Sequence, residues 1–591
     1  MPGIFGASAV EADVARRLEI AVRDALGDLT THRSAAGVLA GRGYEGVAAL
    51  RRSADGWLAV DGDRAGYAEV ETGARGGAGP TLPAFRGVGA RMGDAEPGLR
   101  IAADWLNGAP LYYAEAGGGL VFASHLRPLA RALGSEADPV GAMQYLREGA
   151  HPSARTPFAG IRRLLPGQTL HFAPGRPPRI EEDSRLWSPS PAGGRGDPAE
   201  AAWTRLLDAV APLEAAGRPA LMLSAGWDSR TLLAALRAAG IRQVLGYSHG
   251  HPRAREIRLA ERLARAAGIE LEVAPLGAEL VRPAFLEEIF PGTECLVFPH
   301  WAAAGRRLAE AGAGVVLAGV LGEVLGGHYG TTMVRSGPGR FADLARRLAG
   351  AGAAAGDAAD AAELLVPDVD RLPWYAAPDA WPQVGELAEG LRADVQVALG
   401  RLRERGVPEG DALVEAYVTE TRGCQYICAQ LESVRATLPV AAPFGDRRLA
   451  ELATGLPLDA RIHNRISREI LERHAPDLLR LPLAATLAPA GSPLALQEAS
   501  RLARWGLEQL HWKAFRATGG RLPQPRWGWV DFSFLRSGVL TPLIESLQSD
   551  LWDRQALRRT ARWLEGAGGL RNVHPWFDQL GKILTIDHLL R

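Results

Sequence analysis

Lysine is almost missing from this 591-residue chain: it stands only at Lys513 and Lys582, and arginine makes up the rest of the 67 basic residues. Any step that depends on a lysine therefore has two candidates. Cysteine is nearly as scarce. Cys295, Cys424 and Cys428 are too few for a disulfide framework and none has metal-knuckle spacing to a histidine, so a reducing cytoplasm is the expected compartment. Net charge is absent too, with 67 basic residues against 67 acidic ones, so no global field draws the protein onto nucleic acid or an anionic membrane. Long apolar runs are lacking. The uncharged stretch from Ala311 to Gly322 is too short and too glycine-rich to cross a bilayer, and the opening residues Met1 to Val10 meet Glu11 and Asp13 with no basic stretch before them, unlike a signal peptide.

What remains is an ordinary globular composition, 47% hydrophobic and 23% charged, in a chain longer than one core sustains. Two or more domains are expected. The first part reads as short apolar or alternating segments between turns: Gly37 to Leu39, Trp57 to Val60, Leu111 to Ala114, Leu120 to Ala123 and Gln168 to Phe172. Ser188 to Pro198, S-P-S-P-A-G-G-R-G-D-P, reads as a linker between domains at 1–187 and 199–591. Beyond it strands alternate with helices: Ala220 to Leu223, a helix over about Ser229 to Ala239, Val244 to Ser248, a helix over about Arg253 to Ala267, and an apolar run at Val315 to Val320. That alternation predicts a parallel sheet flanked by helices. The alanine- and arginine-dense stretch Phe341 to Ala362 reads as a helical surface insertion, helical periodicity persists beyond Glu409, and no repeat has solenoid spacing.

The strongest chemical signal is Leu221-Met222-Leu223-Ser224-Ala225-Gly226-Trp227-Asp228-Ser229-Arg230, a strand ending in S-x-G-x-D-S and opening into a helix. Small residues at that junction let backbone N–H groups and the helix dipole face an anion, Ser224 and Ser229 add hydroxyl donors, and Asp228 can hold Mg²⁺. A serine cap on an ordinary turn would use some of the same residues. The full six-residue pattern favours the anion site.

This loop resembles the S-G-G-x-D-S pyrophosphate loop of the N-type ATP pyrophosphatases, with Ala225 in place of one glycine. Further segments resemble the asparagine synthetase superfamily: Met1-Pro2-Gly3-Ile4-Phe5-Gly6 its opening M-C-G-I-F-G, Ala109 to Tyr113 its K-P-L-Y-Y, Gly119 to Ser124 its G-L-V-F-A-S-E, Phe158 to Gly167 its F-x-G-I-x-x-L-P-P-G, and Pro443 to Leu449 its R-V-P-F-L-D-x-x-L. The resemblance implies an α+β N-terminal domain like the Ntn hydrolases, degenerate here, followed by an α/β PP-loop synthetase domain of the adenine-nucleotide α-hydrolase type with a helical C-terminal extension. It implies ATP and Mg²⁺ as cofactors. The ATP-binding residues it implies are Leu223, Ser224, Ala225, Gly226, Asp228, Ser229, Ser248, Ala318 and Gly319, with Asp228 and Glu323 as catalytic and metal-binding acids.

Two departures narrow the reading. The family's glutaminase cysteine is replaced by Pro2, and no N-G-E-I-Y-N-like segment follows to hold glutamine, so the first domain is expected to be a scaffold without that reaction. The family's acyl-transfer lysine falls around Leu481 to Leu487, where only apolar and small residues stand, and neither Lys513 nor Lys582 can be placed there. At Ala318 to Gly327 the chain resembles the loop S-G-E-G-x-D-E-L-F-G-G. Alignment on Gly326-Gly327 puts Glu323 on the second acid, while a solvent-facing glutamate at a helix start is the plainer alternative.

Tyr247-Ser248-His249 ends a strand where family members place adenine, and Glu256 opens the next helix. Cys424 and Cys428, one turn apart, read as core residues, and His463 and His474 as surface ones. Trp505, Trp512, Trp527, Trp529, Trp552, Trp563 and Trp576 read as core filling. Arg422, Arg435, Arg461, Arg465 and Arg468 are the natural positive charges for a pyrophosphate or acyl-adenylate. Among superfamily members without the cysteine, the form of the loop and the C-terminal extension resemble the lasso-peptide cyclases more than the β-lactam synthetases. That likeness implies a precursor-peptide substrate, with a leader-binding protein and a leader peptidase as partners.

Overall fold

The computed structural model describes residues 2–34, 36–44, 49–53, 56–62, 87–93, 98–105, 109–183, 187, 196–330, 363, 365–518, 521–522, 532–566 and 573–591. The expected insertion at Phe341 to Ala362, linker residues 188–195, Trp527 and Trp529 lie outside them.

The N-terminal part contains strands β1 (Gly3–Ser8), β2 (Thr30–Ser34), β3 (Gly37–Arg42), β4 (Leu50–Ser53), β5 (Gly56–Gly62), β6 (Gly87–Gly93), β7 (Leu99–Ala103), β8 (Tyr112–Ala116), β9 (Gly119–Ala123), β10 (Arg162–Arg163), β11 (Gln168–Phe172) and β12 (Arg179–Glu182). They form two antiparallel sheets, ordered β10-β8-β9-β1-β3-β2 and β12-β11-β7-β6-β5-β4. Alternation along β1 decides its packing: Ile4 turns toward the second sheet with Leu39, Phe122, Val88 and Ile101, while Phe5 and Ala7 turn the other way, under Leu18 and Val22 of the helix Ala12–Leu26. Both faces of β1 are covered, and every residue in it is buried.

The second part is built on β13 (Arg218–Met222), β14 (Leu245–His249), β15 (Glu270–Ala274), β16 (Ala313–Leu317) and β17 (Val440–Ala441), all parallel, in the order β15-β14-β13-β16-β17. The near-continuous apolar runs of β13 and β16 fit a sheet buried on both faces. From β13 the chain winds outward to β14 and β15, then returns to place β16 on the other side of β13. The carboxyl ends of β13 and β16 therefore flank the switch point where such sheets open a binding crevice. The predicted alternation is present, with one shift: the helix after β13 is Trp227–Ala238, so Asp228 and Ser229 lie in its first turn.

The expected linker ends in structure, since the Asp197 carboxylate accepts from the N–H groups of Ala199 (3.0 Å) and Glu200 (3.3 Å) at the start of the helix Pro198–Val210. The C-terminal helix Val573–Leu590 packs against the first part: Ile583, Leu584 and Ile586 share a core with Leu129 and Leu146, and with Phe290 of the second part. Buried charges join the two parts again, with Arg435 paired to Asp61 of β5 and to Glu432. Trp512 and Trp552 are buried as expected, but Trp505 (58% exposed) and Trp563 (46% exposed) are not core residues, because their helices present those faces to solvent. Cys424 and Cys428 are buried and free. His474 is exposed, and His463 is half-buried in a left-handed turn with Asn464. Among the described residues no helix is long and apolar enough to cross a membrane.

Candidate active site

A cavity of about 420 Å³ opens at the carboxyl ends of β13, β14 and β16, within the range of small-molecule sites. Of the residues expected from the sequence, Leu223, Ser224, Asp228, Ser229, Ser248, Ala318, Gly319 and Glu323 line it, as do Tyr247, His249 and Glu256.

The loop after β13 is organised by its own hydroxyls. Ser229 Oγ donates to the Ser224 carbonyl (2.8 Å) and accepts from Ser224 N (3.2 Å), the two Oγ atoms are 3.1 Å apart, and Gly226 N donates to Ser224 Oγ (3.2 Å). The turn is thereby closed at the N-terminus of the helix Trp227–Ala238. Ala225 and Gly226, also expected at the ATP site, do not line the cavity. Ala225 is fully buried and its carbonyl faces away, accepting from Ala484 N (3.3 Å) and from Arg230 Nη2 (3.4 Å). Ser248 Oγ donates to the carbonyl of Leu223, so its hydroxyl is committed to holding β14 against the loop.

Arg230, which follows the loop, was missed by sequence reasoning. It is fully buried, and its guanidinium donates to the carbonyls of Leu478, Leu481 (2.9 Å) and Pro482 (2.9 Å) as well as Ala225. Burial lowers its pKa to about 10. Arg230 thus straps the loop to the segment where the family's lysine would fall.

The loop after β16 carries the opposing acid. Glu323 begins the short helix Gly322–Leu325, and its Oε2 is buried without a hydrogen-bond partner. Asp228 has a pKa raised well above the carboxylate range, first by burial and then by the charge of Glu323; that of Glu323 is raised by burial and held back by its own backbone N–H and then by the charge of Arg422. Two facing, underpaired carboxylates are a donor set for a hard divalent cation that keeps its remaining coordination for phosphate and water, so Asp228 and Glu323 fit Mg²⁺. Among the described residues no group of three or more metal-ligating side chains occurs. The Gly326-Gly327 pair has a steric cause: side chains there would meet Asn464 Oδ1 (2.6 Å) and the backbone of Ile462 (2.7 Å).

The arginines expected to supply positive charge mostly do something else. Arg461 is buried in a double ion pair with Glu415 (2.6 and 2.7 Å) and donates to the Val324 carbonyl, Arg435 pairs with Asp61 and Glu432, and Arg468 pairs with Glu472 (2.8 Å). Arg465 is exposed away from the cavity. Arg422 alone of the five lines it, four residues before Tyr426 on the π-helix Thr419–Ile427. Phe577 and Asp578 of the C-terminal helix complete that wall, unforeseen from the sequence. Behind it a second cavity of about 90 Å³ shares Val297, Phe298 and Tyr426 and is lined by His125, His151 and Cys295. The position of the family's cysteine is Pro2, which is buried.

A parallel sheet with hydroxyl-rich and acidic loops facing one another at its switch point suits a phosphate-bearing ligand with a divalent cation. Residues 203–484 match the asparagine synthase family model and residues 84–179 a glutamine amidotransferase domain model, which together support membership of the asparagine synthetase superfamily. The asparagine synthase match supports ATP-dependent, AMP-forming ligase chemistry. A solved structure of glutamine phosphoribosylpyrophosphate amidotransferase from B. subtilis, complexed with ADP and GMP, is 14% identical over 54% of this chain and 81% of that one, with a TM-score of 0.20. No curated protein matches the chain.

Proposed function

We propose that the protein closes a macrolactam (isopeptide) ring in a ribosomal precursor peptide. An Asp or Glu side chain of the peptide attacks the α-phosphorus of ATP, pyrophosphate leaves, and the peptide's N-terminal amine displaces AMP from the acyl-adenylate. Ser224 and Ser229, which line the cavity, would face the phosphates, and Asp228 and Glu323 would hold Mg²⁺, which would spread the charge developing on pyrophosphate. The observation that carries the reading is the pairing of this loop and carboxylate set with Pro2: activation is retained while the cysteine that would release ammonia is absent. The amine must then come with the substrate, and holding amine and adenylate in one cavity replaces diffusion by proximity. A leader-binding protein and a leader peptidase in the cytoplasm are the partners this chemistry calls for.

The test is a leader-free precursor peptide, encoded beside this chain's gene, incubated with protein, ATP and Mg²⁺. Loss of one water, with AMP and pyrophosphate as products, is expected, and acetylation of the peptide's N-terminus should block it. ADP release, or processing of the acetylated peptide, overturns the reading. Ammonia incorporation would point instead to another asparagine-synthetase-like amide ligase, and absence of any turnover to a nucleotide-binding scaffold.

A further inference from the structure

Among the described residues Arg422 is the one arginine or lysine that lines the main cavity, beside two histidines, His249 and His300. It is exposed there, with its guanidinium carbon 5.1 Å from the ring centroid of Tyr426 and its charge acting on Glu323. Unlike Arg435, Arg461 and Arg468, it has no ion pair among the described residues. Its platform is fixed. The Tyr426 hydroxyl donates to Asp578, Asp578 pairs with Lys582 (3.1 Å), and Phe298 meets the Tyr426 ring at 5.1 Å. Gly423, between the two residues, lies so close to Tyr329 that a Cβ would stand 3.2 Å from its ring, which seats the π-helical turn.

A carboxylate that attacks a phosphate must approach a group of its own sign, so a cation has to receive it. The phosphate side already has the serine loop, a helix N-terminus and the Asp228–Glu323 pair. Arg422 stacks on Tyr426 and acts on Glu323 across the same cavity, and its planar fork of donors matches a carboxylate with two parallel hydrogen bonds. We infer that Arg422 docks the carboxylate to be activated, the end of an aspartate or glutamate side chain, and that Tyr426, held by Asp578 and Lys582, is the positioning residue for it. This rests on the adenylation reading above.

The test uses the full chain loaded with Mg²⁺ and the non-cleavable analogue α,β-methylene-ATP, with butyrate and its neutral counterpart butyramide as probes, followed by saturation-transfer NMR. Butyrate should bind and butyramide should not. Arg422→Met should weaken butyrate at least tenfold, with Arg422→Lys between the two because an ammonium cannot offer the fork, and nucleotide affinity should move less than twofold. Tyr426→Leu should weaken butyrate with Arg422 intact. Unchanged butyrate binding in Arg422→Met, butyramide binding as well as butyrate, or no butyrate binding to wild type overturns the inference. A tenfold loss of nucleotide affinity in Arg422→Met assigns the arginine to phosphate and overturns it also. Failure of the wild type to bind the analogue overturns adenylation itself, and is seen separately from the butyrate signal.

Discussion

Gly322 packs directly against Asp228: a Cβ built on the glycine would overlap the carboxyl carbon and Oδ1 of the aspartate, and one built on Gly319 would stand 2.8 Å from Asp228 Cβ. The two loops at the switch point therefore fit each other only because one is made of glycine, and the neighbouring Leu321 takes a left-handed φ of 68°. Gly322→Ala should push the Asp228 carboxylate off its position and lower adenylation by roughly two orders of magnitude, while overpacking costs about 1–3 kcal/mol of stability. Pyrophosphate release and thermal unfolding measured together check this. Near-normal turnover would show that Asp228 need not sit where it does.

Asp228→Asn separates the metal role from the fold. Both carboxyls have raised pKa values in the folded state, so above the ordinary carboxylate range the folded protein binds more protons than the unfolded chain, and stability declines as pH rises through that window. Removing one charge should stabilise the metal-free protein at pH 7 by on the order of 1 kcal/mol, which in a chain of 591 residues is a rise in Tm of about 1 °C. Added Mg²⁺ should raise the Tm of wild type and not of the variant, with adenylation down about a hundredfold or more. A variant less stable than wild type without metal would show that Asp228 is structural.

Arg230→Met should cost more than about 3 kcal/mol, because it strands buried carbonyls of Ala225, Leu478, Leu481 and Pro482 that the guanidinium now satisfies. Arg230→Lys keeps the charge without the planar fork and should fall between. Denaturant midpoints order the three proteins. If Met and Arg are equally stable, the strap contributes nothing.

The loop after β13 was legible because its chemistry is local: a strand, a run of small residues and a helix start are contiguous, and Ser224, Asp228 and Ser229 needed only their own sequence neighbours. Glu323 could be aligned for the same reason, through Gly326-Gly327. The wall formed by Arg422, Tyr426, Phe577 and Asp578 was not legible, since about 150 residues separate its two halves and only the docking of the C-terminal helix brings them together. The arginines show the same limit. Arg230, Arg435 and Arg461 differ from Arg422 in their neighbours and not in residue type, and a buried carboxylate or carbonyl turns a candidate ligand into a strut. Trp505 and Trp563 failed as core residues because composition gives a side chain's apolar area but not the helix face that carries it.

The last prediction concerns acid, and its sign follows from two imidazoles in the second cavity. Burial lowers the pKa of His125 to about 4 and that of His151 to about 3; Arg163 and Arg155 push His151 further down, while at His125 Asp61 opposes the effect and Arg435 adds to it. In the unfolded chain both imidazoles titrate near their ordinary value of about 6.5. Between there and pH 4 the unfolded state therefore holds protons that the folded state refuses, and the stability these groups permit above pH 6.5 is lost as pH falls. Each could remove about 1–2 kcal/mol by pH 5, at 1.36 kcal/mol per unit. Glu294 works in the opposite direction, since burial raises its pKa to about 7, so the acid response of the wild type alone is not diagnostic. A difference between proteins is. His151→Phe keeps a ring against Tyr145, whose centroid lies 5.8 Å away, and cannot take a proton. The fall in Tm from pH 7 to pH 5 should be smaller in His151→Phe than in wild type by about 1–2 °C, with Glu294 cancelling from the comparison. Equal falls in the two proteins would mean that His151 is protonated in the folded state, and that the second cavity admits water to it.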